Sequence, residues 1–305
     1  MTDRGGWLRH AAEAARIAAD RGDLWLPGAL GALPYLAWLP LLLTVAGAPR
    51  TSDFAFLGAG LFSSDLFPLN VLLIATLAAL GVLVAFLVAA LAEATLLRSG
   101  PGTPDRPLTR DLEAVFSVML VAALPAVGVA AAVVSGVAVV APGEFGSPDL
   151  GIPLALRIAL HLVPLLVLLA ILAWAGQAVA AVAMRRAIGP ESLPIGQAIR
   201  ASLRDISRYP VRRLGLALVA LLADLLAVAL AVALLGVLWA PIGDDLRGGE
   251  LVSPSGLLLL VGFVAIWLAI VLAFGALHVW ASTWWSLELG ATVEAGQPEA
   301  EEARP

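Results

Sequence analysis

Apolar residues fall into six long runs separated by short polar stretches. The runs lie near residues 26–48, 70–97, 113–141, 152–184, 212–240 and 256–287, each long enough for a hydrocarbon core that takes about 20 helical residues to cross. The pattern predicts six membrane-spanning helices. Ahead of the first, third and fifth runs, the spacing changes to that of an amphipathic helix. In the first such segment Arg9, Glu13, Arg16 and Asp20 form a polar stripe, with Trp7, Leu8, Ala11, Ala15 and Ala18 on the other face. In the last, Gln197, Arg200, Arg204 and Arg208 oppose Ile195, Ile199, Leu203 and Ile206. The middle one, PDRPLTRDLEAVF, is shorter, with Leu108, Leu112 and Phe116 as its apolar side.

The expected architecture is all-α and polytopic: three helical-pair units, each opened by an amphipathic surface helix, a threefold repetition with little residue identity between units. Residues 1–290 form a single membrane domain. The tail 291–305, ATVEAGQPEAEEARP, is acidic and without apolar periodicity, and is expected to be disordered.

Composition sharpens the class. At 61% hydrophobic and 13% charged, with a mean hydropathy of +0.96, the chain is far from a soluble globule, of which roughly a quarter is charged. Every one of the 18 basic residues is arginine. Fifteen of them lie in the N-terminal segment, in 98–112, in 185–213 and in the tail, and only Arg50, Arg157 and Arg247 fall on the opposite side. Arginine excess marks the cytoplasmic side, so both termini are expected in the cytoplasm and the chain in a cytoplasmic (inner) membrane. The first apolar run begins near Leu24, behind Arg4, Arg9, Arg16 and Arg21, an arrangement unlike a cleavable signal peptide. Cysteine is absent, which excludes disulfides, thiolate metal sites and a cysteine nucleophile.

Among candidate functional residues, Asp224 stands out. A rise of 1.5 Å per residue from Arg213 carries it ~16 Å into a ~30 Å core, where a carboxylate costs about 2.5–3.5 kcal/mol. Ala217, Ala220, Ala227 and Ala231 lie on or near its face, and small residues there point to a neighbouring helix rather than lipid. Two roles stay open, a proton or ion site and a protonated acid hydrogen-bonded between helices. His161 is a candidate partner, sharing a face with Arg157, and Pro164 one turn later can open the backbone. The alternative for His161 is a ring satisfied by a backbone carbonyl. The same rise places both Glu93 and His278 ~33 Å along their spans, at the arginine-rich interface, with Glu93 expected to pair with Arg98 or a surface arginine. The three histidines differ too much in depth for a shared metal, so no metal and no cofactor is expected.

No HExxH, Gly-x-Ser-x-Gly or P-loop pattern occurs, which speaks against an enzyme. The segment holding Arg200, Arg204, Arg208, Arg212 and Arg213 suits anionic lipid headgroups, at about 1 kcal/mol per arginine. Its apolar face is committed to the membrane, which argues against nucleic acid as a partner.

The stretch AVAAVAMRRAIGPESLPIGQAIRASLRDISRYPVRRLGLALVALLADLL resembles the membrane domain of glycerophosphoryl diester phosphodiesterases and of related six-span prokaryotic membrane proteins. In both, a long helix ends in a small-residue and glycine turn, followed by a surface segment Ala-x-Arg-x-x-x-Arg, here Ala198, Arg200 and Arg204, and the next span. The resemblance implies a six-helix module. The soluble catalytic domain is not expected here, so neither phosphodiester hydrolysis nor any catalytic residue carries over. The expected function is a scaffold or accessory subunit contacting anionic lipid or a membrane partner protein, with a small transporter or channel using Asp224 as the alternative.

Overall fold

The computed structural model describes residues 4–32, 38–45, 60, 65–99, 106–145, 154–248 and 254–295. Among these residues the secondary structure is helical, with no strand: α1 (Arg4–Asp20), a 3-10 turn at Gly22–Leu24, α2 (Trp25–Ala32), α3 (Trp38–Val45), α4 (Leu69–Arg98), α5 (Leu108–Phe145), α6 (Leu154–His161), α7 (Val163–Ile188), α8 (Ile195–Arg208), α9 (Pro210–Gly248) and α10 (Pro254–Ala295). Five helices are long and apolar enough to cross a membrane, Leu69–Arg98, Leu108–Glu144, Val163–Ile188, Pro210–Asp245 and Ser255–Gly290. The chain is a multi-pass membrane protein.

Several expected elements take a different form. The run at 26–48 gives two helices of eight residues, α2 and α3, and Pro34 between them lies outside the described residues. The middle amphipathic segment is not a separate helix but the first turns of α5, which run unbroken from Leu108. The run at 152–184 divides at Leu162, because Pro164 lacks an N–H and its ring conflicts with the carbonyl one turn back. Helix α10 continues to Ala295, so the first five residues of the acidic tail are helical, and 296–305 lie outside the described residues.

The elbow before α9 follows directly from Pro210. Proline biases the preceding residue away from helix, and Tyr209 has φ −128 and ψ 55. At the first position of α9 its missing N–H costs nothing, since that donor has no intrahelical partner. A short 3-10 turn joins α1 to α2. It carries an exposed Arg21–Asp23 pair at 2.9 Å, in which hydrogen bonding from the guanidinium holds the Asp23 carboxyl below its ordinary range.

Two clusters of buried side chains lie at the arginine-rich end. One cluster joins Ala90, Ala94 and Leu97 of α4, Val115 and Val118 of α5, Ala183 and Met184 of α7 and Ala198 of α8. A second joins Ala14 of α1, Ala178 and Val182 of α7, Leu216 and Ala217 of α9 and Trp284 and Trp285 of α10. The opposite part of α4 contrasts with them, since every residue from Val71 to Val84 is exposed. Lipid tails are as apolar as these side chains, so burial drives little association there and close approach of small residues matters more.

The closest approach is between α2 and α10. A Cβ on Gly28 would collide with the Gly275 carbonyl oxygen, and one on Gly275 with the Trp25 carbonyl oxygen and with the Ala29 nitrogen at 2.7 Å. These obstacles are backbone atoms that cannot swing aside. Gly275→Ala is therefore expected to destabilise the protein by about 1–3 kcal/mol. Gly81→Ala, where a Cβ meets open space, is the control, and thermal unfolding in detergent should lower the midpoint for the first variant and spare the second.

Candidate functional site

The crossing at Gly275 sets the position of His278, almost one turn further along α10. Its imidazole lies against α2, where a Cβ on Gly31 would come within 3.1 Å of Nε2. From α4, Glu93 brings Oε1 to 2.9 Å from that same Nε2. Ser282, four residues beyond His278, donates from Oγ to Glu93 Oε2 at 3.4 Å. Arg185 of α7 donates to Ser282 Oγ at 2.9 Å and also to the Ser282 carbonyl. It reaches Ser286 Oγ at 3.0 Å and the Ala181 carbonyl at 2.8 Å. A carboxylate, an imidazole, two hydroxyls and a guanidinium thus form one polar chain across α4, α7 and α10. Asp224 of α9 stands outside these contacts, one helix away.

The register of α9 and α10 sets the level of Asp224. Ala231 shares a buried cluster with Phe274, and Ala217 shares one with Trp284 and Trp285. Antiparallel helices with those two anchors bring Asp224, midway along α9, level with the turn that carries His278. Ala217, Ala227 and Ala231 of that face share clusters with side chains of α10.

His161 and Arg157 do not join Asp224. His161 Nε2 is 2.9 Å from Glu144 Oε1, and Arg157 Nη1 is 3.4 Å from Glu144 Oε2. The expected pairing fails because α5 continues through Pro142 and presents Glu144 on its last turn, where the sequence pattern indicates only a Gly- and Pro-rich turn. Glu93 likewise pairs with His278, while Arg98 turns to Asp111 at 3.0 Å. Glu93 and His278 stand at equal distances along their spans, and that equality is the signal that could have joined them.

The arginines of α8 and α9 separate into two groups. Arg200, Arg204 and Arg208 are exposed, with Ala198 and Ser202 buried on the other face of α8 and Ser202 Oγ donating to the Val179 carbonyl at 3.0 Å. Arg212 and Arg213, expected at the headgroups, turn inward instead. Arg213 is wholly buried, 2.7 Å from Asp205 Oδ2. Arg212 pairs with the buried Glu288 of α10, which also accepts from His10 Nδ1 at 2.8 Å. The physical reason is a pair of buried carboxylates: Glu288 holds Arg212 and Asp205 holds Arg213, since an uncompensated charge there is costly. Glu288 is a lone acid at the end of an apolar run, and nothing in its sequence neighbours signals this role.

Among the described residues no group of three His, Cys, Asp or Glu side chains could hold a metal ion. Comparison of the chain with protein-family models, with curated proteins and with solved structures finds no match.

Removing one charge from the chain strands the other. Glu93→Gln and His278→Gln are each expected to cost about 3 kcal/mol, as for a broken buried pair. The double variant should recover part of that loss, because coupled sites are not additive. Unfolding midpoints of the two single variants and the double variant check this.

Proposed function

We propose that this protein is a non-catalytic six-span module of the cytoplasmic membrane that binds anionic lipid headgroups at its inner face, acting there as a scaffold or accessory subunit. Both termini lie in the cytoplasm in this reading, the pair of α2 and α3 serves as the first span, and three helical-pair units build the bundle. The layout is similar to the membrane domain of glycerophosphoryl diester phosphodiesterases.

The observation that carries the reading is the exposed row of Arg200, Arg204 and Arg208 on α8, whose other face is committed to α7 through Ala198 and Ser202. The inward turn of Arg212 and Arg213 leaves these three as the headgroup contact of the segment. At about 1 kcal/mol each, they supply about 3 kcal/mol, or two orders of magnitude in affinity. Changing all three to Gln is expected to remove the preference for anionic over zwitterionic vesicles in a flotation assay, most clearly at low salt. An unchanged preference sinks the proposal.

A second reading is favoured by the position of Asp224, level with His278 where α9 packs on α10. Here Asp224 is the proton or ion site of a small transporter. Asp224→Asn should then abolish a pH-dependent flux in proteoliposomes, and undiminished flux removes this reading.

A further inference from the structure

A cleft of 370 Å³ opens between α1, α9 and α10 at the arginine-rich end, and its walls are apolar side chains of Ala15, Ala19, Ala223, Ala276, Trp25 and Trp280 among others. We propose that this cleft seats one acyl chain of a phospholipid from the adjacent leaflet. The proposal uses the membrane placement of the bundle and does not rest on the basic face of α8.

Two observations support this occupant. The two indoles are fixed walls, because Trp25 Nε1 donates to the Ala18 carbonyl at 2.7 Å and Trp280 Nε1 to the Ala11 carbonyl at 3.1 Å. Their polar edges are thereby used up on α1 and their ring surfaces are left for an apolar guest, held in place before it arrives, which lowers the cost of binding. The mouth is open, with Ala15 and Ala19 exposed.

Charge at the rim suits a phosphate. Arg16 is exposed on α1 and lies three residues from Ala19 on the same side of the helix. The acids nearby on α1, Glu13 and Asp20, are exposed to solvent. A chain in the cleft would place its headgroup at the level of Arg16, where α1 meets the interface.

The full chain, reconstituted in phosphatidylcholine vesicles with a trace of phosphatidylcholine bearing a diazirine on one acyl chain, tests the proposal on irradiation. Adducts are expected to concentrate on residues 15–25 and 276–280. Ala19→Trp, at an exposed position that leaves folding untouched, should lower them several-fold by filling the mouth, and Ala223→Leu should do the same from the floor. The variant with Arg200, Arg204 and Arg208 changed to Gln should keep the adducts, so that loss of headgroup preference and loss of the cleft are read separately. Labelling spread evenly over the lipid-exposed length of α4, adducts undiminished in both filled variants, or cross-links from the cleft to a second copy would overturn the proposal.

Discussion

The backbones of α2 and α10 meet at Gly28 and Gly275 with no space for even a methyl group. Much of the arginine-rich end depends on that approach. It carries the imidazole of His278 against Gly31 and within reach of Glu93, and it sets Trp25 beside Trp280 on the wall of the cleft. In a bilayer such crossings take the place of a hydrophobic core. Apolar side chains gain little by leaving lipid, so helices associate where small residues let backbones approach and dispersion contacts accumulate.

Polar contacts then lock what the glycines bring together. Glu93, Ser282 and Arg185 tie α4, α10 and α7, while Glu288 collects Arg212 and His10 and so joins α10, α9 and α1. In low dielectric each of these groups is costly alone and is retained because it is partnered. The far part of α4 has neither device, and its side chains from Val71 to Val84 are exposed all round. Such an apolar surface is tolerable in hydrocarbon and would be an aggregation liability in water.

Much of the fold was legible because length and hydropathy leave few choices in a bilayer. Runs of apolar residues longer than about 20 must be helices, since no water is present to satisfy an open backbone. Helical periodicity likewise announced α1 and α8. The site was less legible. Depth along a span placed Glu93 and His278 at one level, yet depth says nothing of which helices are neighbours. His161 was matched to Asp224 on the same kind of reasoning and belongs with Glu144 instead.

The sequence by itself determined that this is a multi-pass helical membrane protein, which end carries the arginines and which residues are costly to bury. Those are properties of single segments, read from composition and period. Only the tertiary structure decided that Arg212 and Arg213 pair with buried acids while Arg200, Arg204 and Arg208 face outward, and that Glu93 answers to His278. Partnership between charges depends on the rotation and register of packed helices, and these follow from where backbones can touch, as at Gly28 and Gly275, rather than from any local pattern.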